Sequence, residues 1–311
     1  MHATPPSKRL LFLSDLMLLA VAVVWGSSYG VVKEALVYYP ALALLALRFG
    51  ITFVLLAPSL RAVRHADAAT LRGVLGAGTL LLAIFLAETF GVMLTRAANA
   101  AFLISLCVVL TPLVEWALLR RRPSRIEWLA VAVSLAGAWL LAGDGALVFN
   151  PGDALILLAA LLRALHVCVV KRVTRSSALP ALAVTALQSG VVALGSAAVA
   201  LVFAPAQLRH VPALAGHGLF WGSVIYLVLA CTLFAFFAQN FAIKRSSPTR
   251  VGLLMGSEPA FGALFASVWL GEAVSAAGWI GGGLIVAASL MATVPWRRAF
   301  GAGEPASGAR A

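Results

Sequence analysis

The chain has 311 residues, 62% of them hydrophobic and 11% charged, with a mean hydropathy of +1.00. A water-soluble domain of this size needs far more polar surface, so a soluble globular fold is excluded. The net charge of +12 does not point to nucleic acid, because the basic residues sit in short segments between apolar runs rather than on one element.

Apolar runs of about 18–22 residues recur along the chain, the length needed to cross a hydrocarbon core of ~30 Å. Ten spans are predicted, at 15–36, 40–60, 72–93, 98–119, 125–142, 153–173, 179–203, 218–242, 249–270 and 275–294. Lys8 and Arg9 precede the first run, and Ala20-Val21-Ala22 looks like a signal-peptidase site. Asp15 interrupts that apolar region, however, and the segment has a full-length counterpart later in the chain, so it is read as a retained helix. Ser124-x-x-Glu127 is a capping box that opens the fifth span. Asn150-Pro151-Gly152 turns into the sixth and Ser247-Pro248 into the ninth. Residues 1–14 are expected to be a cytoplasmic N-terminus and 143–152 a periplasmic linker; the Gly/Ala/Pro-rich stretch 295–311 is expected to be a disordered cytoplasmic tail.

The sixth span repeats the first. "SDLMLLAVAVVWGSSYGVVK" at 14–33 is followed at 152–171 by "GDALILLAALLRALHVCVVK", with Arg163 where the first copy has Trp25. "PALALLALRFG" at 40–50 matches "PALAVTALQSG" at 180–190, Arg48 standing opposite Gln188. Thr111-Pro112 corresponds to Glu258-Pro259, and Trp128 to Trp279. The chain therefore divides into 15–142 and 153–294, each with five spans. An odd number of spans per unit turns the second unit upside down relative to the first. The expected fold is an all-α integral membrane protein of ten transmembrane helices in two inverted five-helix repeats, an arrangement characteristic of secondary transporters.

Of the 23 Lys and Arg residues, Arg48 and Arg163 fall inside spans and Lys33, Arg96 and Arg209 lie on one side of the membrane. The other eighteen lie on the side that holds both termini, which is therefore read as cytoplasmic. This implies a multi-pass protein of the inner membrane, with the lipid bilayer as its surroundings.

Ionisable residues inside spans are costly unless they are satisfied, and they carry the functional reading. Arg48 and Glu88 both lie toward the outer side and are expected to form an intramembrane ion pair, structural or coupling. Arg163 and Glu258 lie near the midplane and are read as a second pair. Arg163 stands one turn before His166 on the same helix face, placing a cation and an imidazole on one stripe suited to an anion or carboxylate. Trp25, Ser28 and Tyr29 form a mixed aromatic and hydroxyl face that would line a cavity. Pro112 and Pro259, in corresponding helices of the two repeats, are expected to kink those helices and shape or gate the cavity. Gly26/Gly30, Gly252/Gly256 and Gly278/Gly282 are small-residue pairs read first as tight helix packing. Homodimerisation through the last helix is the alternative reading.

No metal spacing is present, and Cys107, Cys168 and Cys231 fall inside spans as small packing residues; no cofactor is expected. There is no Walker A, H-E-x-x-H or nucleophile-elbow motif, so the residues suggest neither an enzyme nor an ATP-driven pump.

"WGSSYGVVK" in the first span, "ALRFG" in the second, a proline in the fourth and "EPAFGALFASVWLGE" reaching Gly271-Glu272 resemble the EamA-type transporters of the drug/metabolite transporter superfamily. The resemblance covers about 15–294. It implies a secondary carrier with a central cavity between the repeats, lined by the first four helices of each, with the fifth and tenth at the periphery. It also implies export of small-molecule substrates such as amino acids, other branches exchanging phosphorylated sugars or nucleotide sugars. The first repeat has Arg120-Arg121 where the second has Gly-Glu, and Arg163 and Glu88 do not belong to the family pattern. Their assignment rests on charge and position alone. An exporter of amino acids or related carboxylates is the leading expectation; an exchanger of phosphorylated or drug-like solutes, or a channel, is the alternative.

Overall fold

The computed structural model describes residues 8–95, 97–142, 150–175, 177–208, 211–269, 271 and 273–293, and within these ranges the side chains of Lys8, Tyr29, Lys33, Val92, Ala97, Ala98, Asn99, Ala101, Gln207 and Trp269 lie outside the description. Also outside are 143–149 of the expected linker, Glu272, and the segment 294–311 that contains the expected tail. The described residues hold helices and no strand. In chain order the α-helices are α1 (Lys8–Tyr38), α2 (Ala41–Leu56), α3 (Ala68–Leu94), α4 (Ala97–Ser105), α5 (Cys107–Leu119), α6 (Arg125–Ala142) and α7 (Pro151–Thr174). They continue as α8 (Ala181–Phe203), α9 (Gly218–Val228), α10 (Ala235–Arg245), α11 (Pro248–Met255), α12 (Glu258–Trp269) and α13 (Ala276–Met291). Among the described residues, nine helical runs are long and apolar enough to cross a membrane, some of them joined from two labelled pieces. The tenth expected span, α13, has 16 residues, shorter than the ~20 that a typical core requires.

Local chemistry sets the helix starts. Pro40 and Pro180 stand immediately before α2 and α8 with nearly the same backbone angles, φ −63° and −66°, ψ 152° and 151°. Their fixed φ directs the chain out of each connection at the start of a matched repeat segment. Asn150 and Asp153 cap α7 reciprocally, with Pro151 at its first position. The Ser124–Glu127 box forms as expected, Ser124 N–H donating to Glu127 Oε2 at 2.7 Å and Glu127 N–H to Ser124 Oγ at 3.2 Å. Ser247 and Ser275 cap α11 and α13 more simply, each side chain accepting one backbone N–H, from Arg250 and Gly278.

Three spans are interrupted. The fourth breaks at Leu106, between α4 and α5, one to two turns before Pro112. The ninth breaks at Gly256–Ser257, which leaves Pro259 in the first turn of α12, where a missing N–H costs nothing. Each break lies N-terminal to its proline. The eighth span carries an unanticipated π-helical stretch, Leu229–Phe234, between α9 and α10.

Packing joins the two halves of the chain. α1 packs against α9, α10 and α12, while α7 packs against α3, α4 and α5. α2 lies on α8, α5 on α11, and α6 on α13. The α6–α13 contact is backbone to backbone: a Cβ added at Gly137 would lie 2.6 Å from Gly281 O, and one at Gly281 would lie 2.5 Å from Gly137 O. The small-residue pairs serve packing within the chain. Gly26 lies against the backbone of Glu258 and Gly262, Gly252 and Gly256 against Thr111 and Val108, and Gly282 faces Ala260.

Candidate functional site

The helices enclose a cavity of about 690 Å³. Its walls come from both halves of the chain: Trp25, Ser28, Arg48, Phe85, Glu88 and Cys107 from the first, Arg163, His166, Phe236, Gln239, Glu258 and Pro259 from the second. Most of the lining is apolar, with a few convergent polar groups, the usual chemistry of a small-molecule site. At one end Leu36, Pro40 and Met93 line it where α1 and α3 finish and α2 begins, and these residues are exposed. This is termed the distal end. The proximal end, where α1 begins and α13 finishes, is cross-linked. Glu115, fully buried, accepts from Thr249 N–H at 2.8 Å, Thr249 Oγ1 at 2.5 Å and Arg121 at 3.0 Å. Arg250 pairs with Asp15 and donates to Thr293 O, and Lys244 Nζ donates to Ser177 O and Leu179 O. Burial works against the charge of Arg121, but its hydrogen bond to Glu127 and the nearby Glu115 carboxylate hold its pKa above the ordinary value.

At the cavity centre, Arg163 lies between two carboxylates, with Glu88 Oε2 at 3.6 Å and Glu258 Oε2 at 3.5 Å. Its guanidinium also stands 5.6 Å from the Trp25 ring centre. Gly26 makes this possible. With no Cβ, α1 touches the Glu258 carbonyl directly, so its neighbour Trp25 is carried up to the charged trio.

The expected Arg48–Glu88 pair does not form. Arg48 Nε instead bonds Thr232 Oγ1, Nη2 donates to Cys231 O at 3.1 Å, and the guanidinium lies over the rings of Phe49 and Phe85 at 5.3 and 5.9 Å. Both of these acceptors lie in the π-helical stretch. It changes the hydrogen-bond pattern there, and the Cys231 carbonyl receives both Arg48 and Trp25 Nε1, the latter at 3.0 Å. The expected Arg163–Glu258 pair does form, and Glu88 joins it on Arg163, so the result is one three-membered cluster and a separately anchored arginine.

His166 lines the cavity together with Arg163, but its ring is engaged as well. Asn240 Nδ2 donates to Gln188 Oε1 at 3.0 Å, which leaves the Gln188 amide nitrogen to face His166 Nε2 at 3.0 Å. The same Asn240 Nδ2 reaches Thr185 Oγ1, so a buried polar chain runs from α7 through α8 to α10. Ser28 lines the cavity with its hydroxyl donated to Trp25 O, and Tyr29 lies outside the described side chains. Pro259 is part of the lining, and Thr111, next to Pro112, is another wall residue. Among the described residues no group of three or more His, Cys, Asp or Glu is placed to hold a metal.

Sequence reasoning missed Thr232 and the Cys231 carbonyl, because a π-helical stretch has no residue signature. It also missed Gln188 as the partner of His166, although a glutamine in mid-span opposite Arg48 was a signal that this position holds a polar group.

The EamA-like transporter family model matches this chain twice, at residues 12–143 and 150–294. The chain belongs to the EamA-like transporter family. It is thus a multi-pass membrane transporter of the drug/metabolite transporter superfamily, and the two matched units coincide with the two halves whose helices wall the cavity. The uncharacterized inner membrane transporter YedA of Escherichia coli (strain K12) is 28% identical over 282 residues, covering 89% of each chain. An uncharacterized transporter of Archaeoglobus fulgidus is 30% identical over 167 residues, covering 53% of this chain and 51% of its own. A crystal structure at 22% identity and a TM-score of 0.74 covers 92% of this chain and 98% of the other, a likeness of fold.

Proposed function

We propose that this EamA-family chain is a secondary active carrier of the inner membrane that exports amino acids or related carboxylates by alternating access. The observation that carries this reading is a cavity with charged groups from both halves, exposed residues at its distal end and ionic cross-links at the other. That is the form expected of one state in an alternating cycle. The packing supports ten membrane helices in two inverted repeats. The contacts of α1 with α9, α10 and α12 are answered by those of α7 with α3, α4 and α5, and α2, α5 and α6 each meet their own counterparts. With both termini in the cytoplasm, the cavity faces the periplasm. Trp25, Ser28, Arg163, His166 and Glu258 contact the substrate, Arg163 facing its carboxylate, while the expected role of Tyr29 lies outside the described side chains. The interrupted helices beside Pro112 and Pro259 are the hinges that reseal the distal end. Export is the direction that the family resemblance implies, and YedA, an inner membrane transporter by name, supports the location.

Counterflow in proteoliposomes tests the reading. Vesicles loaded with each unlabelled amino acid in turn are expected to accumulate the labelled form saturably for at least one of them. Non-saturable flux in folded protein would indicate a channel, and no exchange with any amino acid would remove the substrate class.

A further inference from the structure

Glu88 Oε2 is a buried oxygen with no hydrogen-bond partner, and its nearest cation is Arg163 at 3.6 Å. Tight guanidinium–carboxylate bonds run at roughly 2.7–2.9 Å, so this contact is an ion pair without a hydrogen bond. Arg163 meets Glu258 at a similar 3.5 Å. The trio has two carboxylates and one guanidinium, a formal charge of −1 in the cavity wall. Arg48 does not neutralise it at contact range, since its guanidinium is turned to Thr232 and Cys231 O.

Such a cluster sorts ligands by charge. A lone carboxylate approaching Arg163 would meet Glu88 and Glu258 as like charges, with nothing added to satisfy Glu88. A zwitterion can open the loose Glu88–Arg163 contact and give each side a new partner, its carboxylate toward Arg163 and its ammonium on the unsatisfied oxygen. Phe85, one turn before Glu88 on α3, and Trp25 and Phe236, whose rings lie 5.5 Å apart, provide apolar wall for the rest of the molecule.

We propose that Glu88 is the specificity-determining residue of the cavity, its Oε2 taking the primary ammonium of the substrate, so that the carrier selects zwitterionic amines over the matching carboxylates that lack a charged nitrogen. This rests on the carrier reading above. It adds the requirement for an amine and the residue that imposes it.

The test uses the full-length protein in proteoliposomes, the amino acid that exchanges best, and its N-acetyl derivative, which keeps the carboxylate and loses the ammonium. In the wild type the derivative is expected to compete about tenfold or more weakly, the scale of a lost charge-assisted hydrogen bond. In Glu88→Gln the KM for the amino acid should rise by about tenfold or more, and the gap between the two ligands should close. Glu88→Asp, which keeps the charge, should retain the preference. A Glu88→Gln protein that exchanges with the wild-type ratio intact would overturn the role of Glu88 and leave the carrier reading standing. No exchange by the wild type would instead remove the carrier reading itself. Should Glu88→Gln fail to fold, the wild type still decides the matter through Cys107, which lines the same cavity, while Cys168 and Cys231 are buried. The amino acid is expected to protect Cys107 from a methanethiosulfonate reagent, and the N-acetyl derivative is not. Equal protection by both would overturn the proposal.

Discussion

The two ends of the molecule are built on opposite principles. At the distal end the cavity wall reaches exposed residues, with Met93 at 73% and Leu36 at 41% relative exposure. At the proximal end the charged side chains reach across elements: Glu115 of α5 to the start of α11, Arg250 of α11 to Asp15 of α1, Lys171 of α7 to the Lys244 carbonyl of α10. Charge inside a membrane protein is costly unless paired, so these cross-element contacts would be expensive to leave half-made. The cavity centre falls between the two. Its charges meet at longer distances, Arg163 lying 3.6 Å from Glu88 and 3.5 Å from Glu258.

Glu115 offers the largest test of this contrast. It is fully buried and has three donors on it from two other segments. Glu115→Ala should destabilise the detergent-solubilised protein by about 3–5 kcal/mol, the scale of breaking a buried, hydrogen-bonded charge. Chemical denaturation reads the change, and a loss below about 1 kcal/mol would mean that the proximal end is closed by packing alone. Arg250→Ala is expected to cost less, about 1–3 kcal/mol, because the guanidinium is partly exposed, although it strands Asp15, whose side chain is only 8% exposed. At the open end Met93→Ala should stay within about 0.5 kcal/mol, as an exposed position does. Equal losses for Arg250→Ala and Met93→Ala would dissolve the distinction between the ends.

These contacts also divide what could be read from residue types from what could not. Nine membrane-length apolar runs, the Ser124–Glu127 box and the charged residues of the cavity wall follow from apolar length, capping chemistry and the cost of buried charge. Partner choice does not. Arg48 and Glu88 lie at compatible depths, yet Arg48 turns to Thr232 and Cys231 O, where the chain forms a π-helix at 229–234. His166 and Arg163 do share a helix stripe, but Gln188 reaches the imidazole from α8. Depth along a span is a one-dimensional property of the sequence, whereas rotation about the helix axis and the identity of the facing helix are set by packing. The breaks at Leu106 and Gly256–Ser257 show the same limit: the prolines announced an interruption without giving its position.

The smallest expected effect lies at the proximal start of α3, where a charged contact is fully open to water. Asp67 accepts from Thr70 N–H and Thr70 Oγ1, both at 2.7 Å. The Thr70 backbone hydrogen bond, followed by its hydroxyl, holds the Asp67 carboxyl below its ordinary value. A carboxylate with a lowered folded-state pKa contributes its full stabilisation above the unfolded value, about 3.9, and loses it as pH falls through the lower folded value. Hydrogen exchange at the first-turn amides of α3 should therefore be faster in Asp67→Ala than in the wild type at neutral pH, and the two should converge on acidification. Asp67→Asn keeps a capping acceptor without a charge and should show no such convergence. The cap is solvated on every side, so its loss should fray one helical turn and leave the Glu115 cross-links in place. If Asp67→Ala also loosened the amides of α5 and α11, the proximal end would behave as one cooperative seal that extends to its exposed rim, rather than as separate buried contacts.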